Sequence, residues 1–125
     1  MNIQEYKRGE NAQLTLHFNS CEWECRCGCD RVLIDLDHVR KLEKERVTYD
    51  KPIHIVSGYR CPAHNKAVGG AEKSQHLIGT ATDVIIRGVS PVNLYDRWDY
   101  LGTFNGIGKY NSFTHVDSRE GTARW

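Results

Sequence analysis

His76, Asp83 and His115 are the residues of this chain whose types and spacing are best suited to chemistry. His76 and Asp83 lie in "SQHLIGTATD", and His115 lies farther along in "FTHVD". Two imidazoles and one carboxylate form a common catalytic zinc set, with water in the fourth position. Such ligands hold zinc and leave it acidic enough to bring the pKa of bound water near neutrality. The spacing also fits polar residues of a core or a surface, so it leaves both interpretations open.

Strands are predicted for the segments that carry these residues. "KPIHIVSGYR" and "ATDVIIRG" are rich in β-branched residues, which favour strands. "GIGKYNSFTHVDSR" indicates two strands around a turn at Asn111 and Ser112. Between the first two ligand candidates, Gly79 and Ala81 fit a chain that turns tightly and then enters a packed strand.

Helices are predicted on either side of these strands. "SPVNLYDRWDYLG" has Ser90 as N-cap and Gly102 as its end. Asp30 is predicted to cap an earlier helix whose apolar face includes Val32, Leu36 and Val39. The order of elements predicts an α+β fold, a small single domain over residues 1–125. In it an antiparallel sheet is flanked by helices and carries the metal site.

The overall composition is that of an ordinary globular protein. The 125 residues are 39% hydrophobic and 26% charged, with a formal net charge of +1. This balance leaves no field strong enough to indicate a nucleic-acid partner. No apolar run approaches a membrane span, and "MNIQEYKRGE" lacks the apolar core of a signal peptide. We therefore expect that the protein is synthesised in a cytoplasm and does not insert into a membrane.

The segment from Ser74 to Asp83 resembles the S-x-H-x-x-G-x-A-x-D signature of the zinc D-Ala-D-Ala carboxypeptidase family of metallopeptidases. That family includes carboxypeptidases and short phage cell-wall endopeptidases, and the Hedgehog signalling domain shares its fold. "SGYRCPAHNKAVGGAEKSQHLIGTATDV" and "GIGKYNSFTHVDSR" both resemble its short members. The resemblance implies one catalytic Zn²⁺ with His76, Asp83 and His115 as its ligands.

The resemblance also implies roles for residues around the metal. Arg60 in "SGYR" matches a family arginine that faces the substrate, where it suits a peptide carboxylate or a developing oxyanion. Ser74 would hydrogen-bond a ligand or the substrate. The family's Glu-x-Trp-His and His-x-His bases are absent, since Ser112 and Phe113 stand at those positions. Asp117 is the nearest carboxylate, and we expect it to act as general base or to orient a ligand.

The cysteines offer a second metal site. Cys25 and Cys27, with Cys61 and His64, supply three thiols and an imidazole that fit a structural zinc, and Cys29 can replace either member of the first pair. A disulfide between the cluster and Cys61, or reduced thiols, are the alternatives. A cytoplasmic start favours metal or thiols, and export to a cell wall permits the disulfide.

The function expected from these features is zinc-dependent hydrolysis of peptidoglycan peptide bonds, in particular those that involve D-amino acids, in the manner of an endolysin. The substrate partner would be a peptidoglycan peptide, and the protein a monomer. It would be made in the cytoplasm, for example of a phage-infected host, and reach the cell wall after release. The alternative is a non-catalytic zinc-binding module of the same fold, which the missing family bases favour.

Overall fold

A computed structural model, which describes residues 1–125, has three α-helices, seven strands and two short 3-10 helices. The strands are β1 Ile3–Lys7, β2 Arg31–Asp35, β3 His54–Ser57, β4 Ala81–Ile85, β5 Gly106–Lys109, β6 Thr114–Asp117 and β7 Ala123–Arg124. The α-helices are α1 Leu36–Tyr49, α2 Pro62–Ala67 and α3 Pro91–Leu101. The 3-10 helices are Ser20–Trp23 and Gln75–Ile78. The mixture confirms the predicted α+β class.

The main sheet has five strands in the order β3-β4-β6-β5-β7, and a second sheet pairs β1 with β2. The predicted strands β3, β4, β6 and β5 are antiparallel neighbours, and β5 and β6 form the predicted hairpin. The short β7 adds to β5 in parallel, which the sequence did not indicate. In the register of β4 and β6, Asp83 lies opposite His115. The hairpin therefore brings two distant segments of the chain to one place on the sheet.

The hydrophobic core joins the helices to the main sheet. Leu42 of α1 and Trp98 of α3 are fully buried in the same cluster as Val84 and Val116 of the sheet. The Trp98 indole donates a hydrogen bond of 2.8 Å to Glu45, which ties α3 to α1. Burial of this apolar surface is the main stabilising contribution to the sheet that carries the site.

The helix predicted to start after Asp30 begins only at Leu36. The segment before it is strand β2, in which the fully buried Val32 and Ile34 alternate with the more exposed Arg31 and Leu33. That period of two fits a strand, and pairing with β1 satisfies its backbone. Asp35 is the actual N-cap, because its carboxylate accepts a hydrogen bond from the Asp37 amide.

Helix α3 has the predicted ends. The Ser90 hydroxyl accepts a hydrogen bond from the Asn93 amide, and Gly102 ends the helix in the left-handed conformation with φ of 67°. The longest helix, α1, has 14 residues. None of the helices combines the length and the apolar character that crossing a membrane requires.

Candidate metal centre

His76, Asp83 and His115 converge on the main sheet. His76 comes from the 3-10 helix Gln75–Ile78, Asp83 from β4 and His115 from β6. One ligand atom from each lies within 4.8 Å of the others. The three residues are only 1%, 7% and 7% exposed. Two buried imidazoles and a carboxylate thus face one common point. The spacing of these residues in the sequence had left this convergence open.

A tight turn places His76 beside the strand that carries Asp83. The Ser74 hydroxyl accepts a hydrogen bond of 3.2 Å from the His76 amide and so begins the 3-10 helix. Gly79 ends it with φ of 80°, and a side chain there would overlap the Leu33 carbonyl. This is the turn that the sequence predicts at Gly79. Ser74 contacts the backbone of the ligand candidate in this geometry.

The hydrogen bond made by one ring nitrogen of His76 defines the state of the other. Nδ1 lies 2.6 Å from the Gly58 carbonyl oxygen, which only accepts, so Nδ1 carries the proton. Nε2 therefore presents a lone pair, and it is buried with no hydrogen-bond partner. A buried acceptor without a donor is costly, and a cation in front of it removes that cost.

His115 presents its other ring nitrogen to the shared point, because a different partner orients its ring. Its Nε2 lies 2.8 Å from a carboxylate oxygen of Asp117, so this nitrogen is the donor. Nδ1 faces Asp83 Oδ1 at 3.0 Å, with its lone pair toward the shared point. One histidine thus presents Nε2 and the other Nδ1, each fixed by a hydrogen bond on its far side, as is usual for metal-binding histidines.

The separations of these donor atoms fit a tetrahedral zinc ion. Ligands at ~2.0–2.1 Å from zinc in a tetrahedron lie about 3.3 Å from one another. Asp83 Oδ1 is 3.3 Å from His76 Nε2 and 3.0 Å from His115 Nδ1. The orphaned His76 nitrogen and the mixed nitrogen and oxygen donor set both suit zinc. Three protein ligands leave a fourth position for water or substrate.

The charges around the site favour a cation at its centre. Burial alone would raise the pKa of Asp83, but the two imidazoles that face it, those of His115 and His76, lower it to about 2. Burial also opposes a charge on His115, yet hydrogen bonds with Asp117 and Asp83 raise its pKa. The two carboxylates therefore stabilise positive charge between them, and a metal cation supplies it as well as a proton does.

Asp117 lies on the far side of the His115 ring, in full burial. The Arg119 guanidinium donates to it through Nε at 2.8 Å and through a terminal nitrogen at 2.6 Å, and the Arg119 amide donates at 3.1 Å. These bonds outweigh burial and lower the pKa of Asp117. A side chain at Gly106 would overlap this carboxylate. Asp117 is thus a charged, immobilised partner of the His115 ring.

Two residues that the sequence did not single out lie close to the site, Arg119 against Asp117 and Trp125 against His115. Arg119 clamps Asp117 and also lies over the Trp125 ring, 5.0 Å from its centroid. The Trp125 ring centroid is 5.0 Å from that of His115. "HVDSR" contains the signal for Arg119, since a guanidinium two residues after a buried carboxylate can fold back onto it. Nothing in the sequence pattern brings the distant Trp125 to the site.

A cleft of about 660 Å³ opens in front of the three ligand candidates. Arg60 and Ser74 both line it. Asp83 is the only carboxylate among its lining residues. The lining side chains that carry positive charge are Arg26, Arg60, Lys73 and Arg119. The cleft is therefore suited to an anionic substrate.

Arg60 is held at the cleft by its neighbours. Its guanidinium donates a hydrogen bond of 3.0 Å to the Asn65 side chain, which itself donates to the Ala71 carbonyl. The Arg60 amide donates to the His76 carbonyl, which joins this residue to the metal site. The Arg60 Nε is buried without a partner, so part of its donor capacity is unused.

The predicted second metal cluster has a different fourth member. Cys25, Cys27, Cys29 and Cys61 place their sulfur atoms within 4.8 Å of one another. His64 is outside this group: its amide donates to the Cys61 sulfur, and the residue lines the cleft. Cys29 takes that place because the turn at Gly28 folds the short segment back on itself, with the Gly28 amide donating to the Cys25 carbonyl.

A buried His, Asp and His set on the sheet of an α+β fold, open to a cleft, is the donor set of a catalytic metal site. The family model for peptidase M15 matches residues 12–117, and the chain belongs to that family. This confirms the resemblance drawn from the sequence. M15 peptidases are zinc-dependent, so the chain is assigned as a metallopeptidase that acts on peptide bonds. No curated protein matches the chain.

Proposed function

We propose that the protein hydrolyses peptide bonds of peptidoglycan, in particular bonds that involve D-amino acids, with Zn²⁺ held by His76, Asp83 and His115. The observation that carries the proposal is the buried, partnerless Nε2 of His76 aimed at the same point as Asp83 and His115. Zinc bound there supplies a Lewis acid for the scissile carbonyl and lowers the pKa of water. The open cleft lets a peptide reach that position.

Arg60 is proposed to bind the substrate. Its guanidinium lines the cleft, and its Nε has no partner within the protein. A guanidinium there can pair with a peptide carboxylate or stabilise the oxyanion that develops at the scissile carbonyl. Four cationic residues around the cleft favour substrates with several carboxylates, which cell-wall stem peptides carry. Ser74 is proposed to position His76 through its backbone amide rather than to contact substrate.

Asp117 is proposed to orient His115 rather than to serve as the general base. The imidazole ring separates its carboxylate from the cleft side of the site. Both of its oxygens already accept hydrogen bonds from Arg119. A carboxylate held in this way fixes the ring and its tautomer and increases the electron density at Nδ1. These contacts support the orienting role, which is one of the two roles that the sequence left open.

The cellular setting is part of the same proposal. The protein is proposed to act as a monomer, in the manner of an endolysin, on the cell wall after release from the cytoplasm in which it is made. Neither nucleic acid nor membrane insertion is part of this function.

The test is hydrolysis of purified peptidoglycan by the zinc-loaded protein. We expect clearing of the suspension, loss of clearing with a chelator, and recovery when zinc is returned. Mass spectrometry of the products from defined muropeptides then identifies the bond that is cut. The matched control is Asp99→Asn, which changes an exposed carboxylate paired with Arg124 and lies outside the cleft.

A non-catalytic zinc module of the same fold is the second candidate. The observation that favours it is the absence of a free carboxylate at the cleft, because Asp83 is the only one among the lining residues. Zinc binding without cleavage of any muropeptide or peptide tested would support this candidate. Cleavage that depends on zinc would exclude it.

A further inference from the structure

We propose that Cys25, Cys27, Cys29 and Cys61 form a second, structural zinc site with four sulfur ligands. The site is separate from the His76, Asp83 and His115 donors and does not depend on the proposed hydrolysis. Four thiolates in tetrahedral arrangement make a closed site with no position left for water or substrate. Its function is therefore to hold the fold together rather than to do chemistry.

The sulfur positions fit such a site. Zinc–sulfur bonds of ~2.3 Å in a tetrahedron place the sulfur atoms about 3.8 Å apart. The sulfur of Cys27 lies 3.3 Å from that of Cys25 and 3.5 Å from that of Cys61. All four sulfur atoms lie within 4.8 Å of one another. A small inward or outward adjustment of each side chain brings them to the separations that zinc requires.

The local backbone is built to turn three of the sulfurs inward. In Cys25-Arg26-Cys27-Gly28-Cys29, the Gly28 amide donates to the Cys25 carbonyl at 3.1 Å. Gly28 has φ of 87°, a left-handed conformation that glycine adopts without strain. The turn lets closely spaced cysteines face one point, and Cys61 meets them from a distant part of the chain.

Backbone amides donate to two of the sulfurs. The Cys61 amide lies 3.4 Å from the Cys25 sulfur, and the His64 amide lies 3.4 Å from the Cys61 sulfur. Hydrogen bonds of this kind stabilise the thiolate form that binds metal and orient the ligands. The Arg8 guanidinium donates to the Cys25 carbonyl at 3.1 Å, so a positive charge lies beside the backbone of the cysteine segment.

One zinc ion uses all four cysteines at one point, whereas one disulfide uses only two of them. A disulfide joins two sulfurs at about 2.05 Å and requires an oxidant. It would leave the two other thiols of the group beside it. When Zn²⁺ binds, four sulfur–metal bonds form and the four thiol protons pass to solvent, with no change of oxidation state. Cys21 is exposed and outside the group, which makes it the natural control.

The metal site would join two segments of the chain, residues 25–29 and the start of α2. Cys25 is fully buried against the hydrophobic core, and Cys61 is the N-cap residue before α2. Arg26, which lies between Cys25 and Cys27 in the sequence, donates a hydrogen bond of 2.7 Å to the Val56 carbonyl near the end of β3. Loss of the metal should therefore loosen the contact between the 25–29 segment and β3, and lower the stability of the whole domain.

Cobalt substitution of the full chain tests the site directly, because only sulfur ligands give an intense thiolate-to-cobalt charge-transfer band. The His76, Asp83 and His115 donors contain no sulfur, so the band does not depend on the proposed function. We expect the band in the wild-type chain loaded with Co²⁺ under reducing conditions, and about two zinc ions per chain after loading with Zn²⁺.

The variants assign the ligands. Cys29→Ser should abolish or strongly reduce the band, remove about one zinc and lower Tm by about 10 °C. Cys21→Ser and His64→Ala should leave the band, the zinc content and Tm unchanged. Cys29 is only partly buried, so its serine variant tests the metal without opening the core, as Cys25→Ser would.

Three results would overturn the proposal. The first is absence of the charge-transfer band in a reduced, cobalt-loaded wild-type chain. The second is a Cys29→Ser variant that keeps the zinc content and Tm of Cys21→Ser. The third is a band lost in His64→Ala and kept in Cys29→Ser, which would restore the imidazole as fourth ligand. If the sulfur band is present and hydrolysis is absent, this proposal stands and the proposed function fails.

Discussion

The two ligand clusters of this molecule differ in ligand chemistry and in the structure that holds them. Nitrogen and oxygen donors come from two paired strands and a 3-10 helix and face a cleft. Sulfur donors come from a tight turn and the residue before α2, and all four are directed at each other. Three donors leave an open position, which is what catalysis requires, whereas four close the site. Donor number therefore separates the two proposed functions better than residue type does.

The three buried histidines, His38, His76 and His115, extend the comparison. His38 is fully buried, and its two ring nitrogens contact the hydroxyls of Ser118 at 2.7 Å and Thr82 at 3.0 Å. His76 and His115 each use one nitrogen for an orienting partner and direct the other at Asp83. A histidine with both nitrogens satisfied by protein is structural, and one with a nitrogen reserved is available to a metal.

Removal of a proposed ligand should have the largest effect. Asp83→Asn keeps the shape of the side chain and removes the charge that joins the two histidines. We expect loss of about one zinc per chain and a fall in hydrolysis of at least about a thousandfold. The thiolate-to-cobalt band of the cysteine site should persist, which shows that the fold is intact. Full zinc content and full activity in this variant would remove Asp83 from the ligand set.

Asp117→Asn should have the next largest effect, and it separates orientation from base catalysis. If Asp117 orients His115, zinc affinity should fall by about ten- to a hundredfold, with turnover recovered at saturating zinc. Zinc titration with a competing chelator measures the affinity, and the turnover is measured on the same samples. Asp99→Asn is the matched control. A hundredfold loss of turnover at full zinc occupancy would instead make Asp117 the base.

Much of the site region could be predicted from the sequence because it lies in regular elements. β-Branched runs define β3 and β4, and a turn at Asn111 and Ser112 defines the hairpin of β5 and β6. Strand alternation then puts His115 and Asp117 on the same face, as their contact shows. The prediction that these elements converge came from the resemblance to the family, because the spacing of the ligand candidates in the sequence left their convergence open.

Other features depend on contacts that a linear pattern does not encode. The segment Arg31–Asp35 has apolar residues that fit a helix extension as well as a strand, and only pairing with β1 decides it. Cys29 rather than His64 completes the sulfur cluster because Gly28 allows a left-handed turn. Trp125 reaches His115 through the parallel pairing of β7 with β5, a strand of two residues with no signal of its own.

Arg60→Ala should affect the cleft without affecting either metal cluster. Loss of one charge-assisted contact with the substrate should lower kcat/KM by about tenfold, while zinc content and the cobalt band stay at wild-type values. Arg87→Ala removes an exposed arginine outside the cleft and is the matched control. Equal kcat/KM in the two variants would make Arg60 a surface residue and leave the other cationic residues to bind substrate.

The smallest effect should come from His38, the buried histidine that is not directed at a metal. Burial lowers the pKa of His38 to about 3, whereas the unfolded chain has the ordinary value of 6.5. Between these values the unfolded state binds a proton that the folded state does not, so stability falls as the pH falls from 6.5 towards 3. Above the higher value this residue contributes no pH dependence.

The variant His38→Gln can still hydrogen-bond the two hydroxyls but cannot titrate. As the pH falls, the free energy of unfolding of this variant should therefore decrease less steeply than that of the wild-type protein, by at most about 1.4 kcal/mol per pH unit. Urea unfolding of both proteins across this pH range, at the same zinc concentration, measures the difference. Parallel pH profiles would mean that His38 titrates alike in both states, and its satisfied nitrogens would then no longer distinguish it from the ligand histidines.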